Sequence, residues 1–313
     1  MNQEVLATAV SSVVLFLLLT IPGFLFARKN WISGEQMDGL SAIVVNYLSP
    51  ATILNALIHN TLTPQLLIDA GTALGTMAAG IALGIAAGFL YMKLRRTGPN
   101  PGYITLFLMT FSNTGFIGIP LLQMLLGTDA LLFAACGEVI NDLCIFSFGM
   151  MIVQVGCGQA RRMNLRGLLN PCFLCAVGGV AILLSGIQLP ELVNKLLSTA
   201  AGGTVPLVMF LIGAQLGKCD LKSLFGERRL YEIVALKLIG VPGLLFLLVY
   251  GLLGVRTFAV RAILLMTAMP SATICAILTR KYHGDADLAS RAVMLSTLLS
   301  VVTIPFWVVL TAL

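Results

Sequence analysis

The chain has 313 residues, 58% of them hydrophobic and 10% charged, with a formal net charge of +6. Soluble domains are about 45–50% apolar and about 25% charged, so a water-soluble core cannot hide this much apolar surface and the composition reads as a polytopic protein of the lipid bilayer. The basic residues sit in short loops between apolar runs, so the surplus charge gives no support to a nucleic-acid partner.

A helix needs about 20 apolar residues to cross hydrocarbon, and ten such runs follow in order: 5–27, 37–59, 65–92, 102–127, 130–155, 167–188, 191–217, 230–254, 258–280 and 287–312. These are predicted helices 1 to 10. The start, "MNQEVLATAV", lacks a basic n-region, so helix 1 reads as a span rather than a cleaved signal. Helix 2 carries "YLSPATILNAL" and helix 7 carries "GTVPLVMFLIGAQL", each with a mid-span proline, Pro50 and Pro206. The cysteines, including the "CFLC" run Cys172–Cys175 and Cys219, fall in or beside apolar segments without a partner His, and read as small packing residues.

Basic residues set the expected orientation. Arg28 and Lys29 follow helix 1; Lys93, Arg95 and Arg96 follow helix 3; Arg161, Arg162 and Arg166 follow helix 5; Lys218, Lys222, Arg228 and Arg229 follow helix 7; Arg280, Lys281 and Arg291 flank the connection after helix 9. That places 15 of 19 basic residues on one side. The positive-inside rule makes that side cytoplasmic and both termini external.

Ten helices divide into two sets of five, and an odd set must return inverted. The expected fold is therefore an all-α membrane protein of ten transmembrane helices in two inverted five-helix repeats, residues 1–155 and 156–313. Helix 4 holds "SNTGFIGIPLLQMLLGTDA" and helix 9 holds "PSATICAILTRKYHGDADLA"; placing Ser112 against Pro270 brings Gly127 to Gly284 with a one-residue gap. Inverted repeats with helices interrupted at matching places are a mark of secondary transporters. Pro removes a backbone donor and Gly makes unwinding inexpensive, so helix 4 is expected to break at Ser112–Gly115 and helix 9 at Met269–Ala272. If the broken helices 4 and 9 cross, two helix N-termini face an anion and two C-termini face a cation. The candidate substrate site is Ser112, Asn113, Thr114, Gly115, Pro270, Ser271, Ala272 and Thr273; the alternative is a pair of kinks with a packing role.

Taken together, "SNTGFIGIPLL", "VPLVMFLIGAQL", "MPSATICAIL" and "YHGDADLASRAVMLSTLLSVVTIP" make the chain resemble the auxin efflux carrier family, the bacterial relatives of plant PIN proteins, over essentially its whole length. The resemblance implies a scaffold of helices 1, 2, 6 and 7 and a moving transport domain of helices 3–5 and 8–10. It also implies an elevator mechanism, transport of organic anions (malate, malonate or auxin-like acids) across the bacterial inner membrane, and a homodimer through the scaffold. The family places a proline before the first crossover Asn, where this chain has Ser112; Asn113 and Pro270 match.

Charges inside spans invite functional readings. In helix 5, Glu138 and Asp142 lie one helical turn apart with Asn141 beside them. They share a proton, or bind a coupling ion such as Na⁺ with Asn113, or form a structural ion pair of Asp142 with Lys237, or gate the substrate. Helix 10 has Ser296, Thr297 and Ser300 at the equivalent places. Lys237, in helix 8, attracts substrate, neutralises helix 5, or snorkels to the interface. Asn55 and Gln215 line the path or pack. No metal motif, nucleophilic triad or P-loop points to an enzyme or a cofactor. A uniporter or channel-like anion pathway without ion coupling is the alternative function.

Overall fold

The computed structural model describes residues 3–159, 167, 169–218 and 227–312; Arg161, Arg162, Arg166, Cys219 and Lys222 of the sequence reading lie outside the described residues. Among these the regular structure is helical throughout, with one isolated antiparallel bridge, Ser112 to Ser271. In chain order the helices are α1 (Gln3–Arg28), α2 (Gly34–Ile58), α3 (Pro64–Arg95), α4 (Pro99–Thr110), α5 (Thr114–Leu126), α6 (Thr128–Gly156), α7 (Pro171–Ser185), α8 (Glu191–Lys218), α9 (Arg228–Leu252), α10 (Phe258–Thr267), α11 (Ile274–Lys281) and α12 (Ala286–Ala312). Six of them are long and apolar enough to cross a membrane (α2, α3, α6, α8, α9 and α12), and shorter apolar helices lie in α1, α5, α7 and α10. The protein is thus a multi-pass membrane protein.

Three of the prolines inside the spans are absorbed by widened turns. The segments Val44–Leu48, Thr114–Gly118 and Leu236–Gly240 are π-helical, and each stops two residues before a proline: Pro50, Pro120 and Pro242. A proline cannot donate to the carbonyl four residues back and its ring collides with it; the extra residue of a π turn relieves the collision and leaves a carbonyl over. At Pro242 that carbonyl belongs to Leu238, and it accepts a hydrogen bond from Trp307 Nε1 at 2.8 Å.

Basic residues at the end of α3, the start of α9 and the start of α12 meet. Arg95 and Arg228 both pair with Glu232, Arg229 donates to the Pro101 carbonyl at 2.7 Å, and Arg291 pairs with Glu227 at 2.7 Å.

Helices α1 and α8 are pressed together through glycines. A methyl group on Gly23 would fall on the Phe210 carbonyl, one on Gly213 would fall on the Thr20 carbonyl, and one on Gly217 would meet Phe24 and Ala27. Small residues four apart let membrane helices approach to backbone contact, where dispersion holds them. Gly213→Ala should therefore cost about 1–3 kcal/mol, read as a lower melting temperature in detergent. Gly178→Ala, where an added Cβ meets nothing within 4 Å, should be neutral or slightly stabilising; equal effects would show that the seam is not tight.

Candidate functional site

Two helices are interrupted at the centre of the protein. α4 ends at Thr110 and α5 starts at Thr114; α10 ends at Thr267 and α11 starts at Ile274. The intervening strands run past each other antiparallel. Asn113 N donates to the Pro270 carbonyl at 2.8 Å, and Ala272 N donates to the Phe111 carbonyl at 3.0 Å. Ser112 Oγ donates to the Thr267 carbonyl at 3.1 Å, and Ser271 Oγ donates to the Leu108 carbonyl at 2.8 Å. The four bonds form two matching pairs, because each Ser reaches the carbonyl four residues before the other Ser. The local two-fold relates Ser112 to Ser271, one residue away from the Ser112–Pro270 register expected from sequence. The backbone pairing decides the register, and it requires a free N–H after each Ser, which Asn113 and Ala272 supply. The break in helix 4 also falls earlier than expected, at 111–113, so Gly115 lies inside the resumed helix. Its missing side chain has another use: a Cβ there would collide with the Glu138 carboxylate.

A cavity of about 220 Å³ opens beside the crossover. Its walls include Ser112, Asn113, Thr114, Gly115, Ala272 and Thr273 from the crossover, Glu138, Asn141 and Asp142 from α6, Val45 from α2, and Asn170 and Cys172 from the start of α7. Residues of the candidate substrate site and of the candidate ion site thus share one space, as the reading of a cation held jointly by Asn113 and the α6 carboxylates requires. Asn141 ties them: its Nδ2 donates to Thr114 Oγ1 at 2.8 Å and to the Ser112 carbonyl at 3.3 Å. That bond to a carbonyl fixes the amide's orientation and turns Oδ1 away. Asn141 Oδ1 and Glu138 Oε2 are buried with no hydrogen-bond partner. Among the described residues, none that lines it is basic.

The family model described as "Membrane transport protein" matches this chain twice, over residues 8–160 and 158–308. The chain belongs to that family. It is the family whose resemblance the motifs carried. An "Uncharacterized transporter" of Methanothermobacter thermautotrophicus is 25% identical over 306 residues, 95% of this chain and 96% of that one. A protein of Rhizobium meliloti named "Putative malonate transporter" is 26% identical over 291 residues, covering 90% and 89%. An "Uncharacterized transporter" of Methanocaldococcus jannaschii is 22% identical over 303 residues, covering 94% and 96%.

Among the described residues, the third buried charged side chain of this transporter is Lys237, on α9. The readings that it snorkels to the interface or pairs with Asp142 are both corrected. Its side chain is fully buried, and Nζ donates to Ser112 Oγ at 2.6 Å and to the Thr267 carbonyl at 3.4 Å. It stands behind the crossover at the C-terminal end of α10, where a cation meets the negative end of the helix dipole. Asp142 instead accepts from Asn170 Nδ2 at 2.7 Å. Ser296, opposite on α12, accepts from Ser271 N at 3.1 Å. Gln215 lines a second cavity of about 200 Å³ with Thr273 and Thr297, and Asn55 lines neither cavity. Asn170 was missed by the sequence reading. The "NP" pair at Asn170–Pro171 is a legible helix start, but nothing local in sequence shows that its amide meets Asp142.

Asn141→Leu leaves the Ser112 carbonyl and Thr114 hydroxyl without their donor. The expected cost is about 1–3 kcal/mol, measured as a fall in melting temperature of the detergent-solubilised protein; an unchanged melting temperature would show that the crossover holds without Asn141.

Proposed function

We propose that the protein is a secondary carrier of small organic anions that accepts the anion together with a cation, H⁺ or Na⁺. The observation that carries this reading is the shared cavity. The first turns of α5 and α11 (Thr114, Gly115 and Phe116; Ile274) line it and offer the positive ends of two helix dipoles, which suits a carboxylate. Glu138 and Asp142 line the same space. Two unit charges about 4 Å apart at an effective dielectric constant near 20 repel by about 4 kcal/mol, close to a thousandfold in affinity. An anion therefore enters well only if the α6 carboxylates are neutralised. The unpartnered oxygens of Glu138 and Asn141 are the atoms left over for this: a proton on Glu138, or a hard cation between the two, satisfies both. Lys237 adds positive potential behind Ser112.

The name of the Rhizobium relative makes malonate the first substrate to try, with other small carboxylates and auxin-like acids beside it. Movement is read as an elevator. The crossover helices and α6 (predicted helices 4, 5 and 9) belong to the transport domain. α1, α2, α7 and α8 (predicted helices 1, 2, 6 and 7) form the scaffold and the homodimer contact. The site sits between the two sets, as alternating access requires. Support for ten spans in two inverted repeats comes from the double match of one family model and from the local two-fold at Ser112 and Ser271. The alternation of basic loops along the sequence, and the meeting of three of them, support a cytoplasmic placement of that end, with both termini outside and the protein in the inner membrane.

In proteoliposomes, Asn113→Ala should lower uptake of labelled malonate at least tenfold with the melting temperature kept, and Glu138→Gln should remove the dependence of uptake on pH or Na⁺. Normal transport by the first variant, or unchanged dependence on both ions in the second, would contradict the assignment.

A further inference from the structure

Asn170 uses both ends of its amide. Its Oδ1 accepts from Phe173 N at 2.8 Å and caps α7, and its Nδ2 donates to Asp142 Oδ2 at 2.7 Å. The cap fixes the orientation, since only the oxygen can accept from a backbone N–H. The two helices it joins, α6 and α7, stand on opposite sides of the boundary between the proposed transport domain and scaffold. We infer that Asn170 is a latch: it holds the transport domain against the scaffold through the charged Asp142 and lets go when the cavity takes up a cation. The inference rests on the carrier reading given above.

Three observations carry it. Asp142 lines the cavity that holds the unpartnered Glu138 oxygen, so a proton or cation arriving there reaches the latch. The hydrogen bond is charge-assisted while Asp142 is ionised and loses about half its strength when Asp142 is neutral. It spans two helices that must part if the domain slides, so its strength is also the stability of this position of the elevator. The other titratable groups facing Asp142 across the cavity are Glu138 on the same helix and Cys172 on α7; Lys237 stands behind Ser112 and does not line the space. Among the described residues no ammonium or guanidinium lines this space, and Asn170 is the donor to Asp142.

The device also explains a choice of residue. Ser, Thr or Asp would cap α7 as well as Asn, but none donates from an amide to a carboxylate across the cavity. Asn170→Ser therefore separates the roles: it keeps the cap and removes the reach to Asp142. Asp142→Asn mimics the permanently neutral carboxyl.

The test is a distance measurement by pulsed electron spin resonance between labels at Thr128→Cys, at the start of α6, and Gln188→Cys, beyond the end of α7. It uses a background with the native cysteines replaced, in nanodiscs and without substrate. In the wild type, going from about pH 8 to about pH 5, or adding Na⁺, should shift the ratio of the two distance populations roughly fivefold, the difference between a charged and a neutral hydrogen bond. In Asn170→Ser and Asp142→Asn the shift should be lost, with the population already displaced at the higher pH. A full wild-type shift in Asn170→Ser would overturn the latch, and so would the absence of any shift in the wild type. Malonate uptake by the same preparations separates this from the substrate reading: a latch that responds to cations in a protein that moves no carboxylate leaves the latch standing and removes the substrate.

Discussion

The constraint on which the structure depends is that backbone polar groups inside a bilayer must find partners within the protein. Breaking two helices at mid-depth exposes several of them, each costing several kcal/mol if left bare. Here each broken strand satisfies the other. Asn113 N and Ala272 N donate to the Pro270 and Phe111 carbonyls, and Ser112 and Ser271 return hydroxyl bonds to Thr267 and Leu108. Neither interruption would hold without its partner, so the crossover is one unit made from segments 155 residues apart. Because the pairing consumes the interior-facing groups, the helix N-termini that remain can line a cavity instead of collapsing.

Around this symmetric core the supports are unlike. On one flank α6 presents Asn141 with Glu138 and Asp142; on the other α12 presents Ser296. Lys237 braces Ser112 from α9, and among the described residues none that lines the carboxylate cavity is basic. The asymmetry turns a neutral backbone knot into a site with a positive rear, two positive helix ends and two negative side chains. Such a site favours paired charges over a lone one, which is the physical root of the proposed coupling between anion and cation.

Much of this was legible in the residues. Composition alone demanded a membrane, the hydropathy runs located the helices within a few residues, and Gly, Pro and Asn in "SNTGFIGIPLL" and "MPSATICAIL" marked the two interruptions. What escaped was what depends on partners distant in the chain. The register slipped by one because backbone pairing, not residue similarity, sets it. Lys237 lies few enough residues from a helix end to suggest an exit to water, yet the hydroxyl of Ser112 gives its ammonium a buried partner. The tie from Asn141 to the Ser112 carbonyl, and the Asn170 bridge to Asp142, come from packing between helices whose sequences carry no trace of each other.

The most direct test of the central claim, that anion and cation occupy one cavity together, is malonate affinity of the purified carrier by calorimetry as a function of pH and Na⁺. If one cation is taken up with each anion, affinity should rise close to tenfold for each unit fall in pH, or for each tenfold rise in Na⁺ below its own saturation, by linkage. Tight malonate binding that is indifferent to both ions would contradict the account.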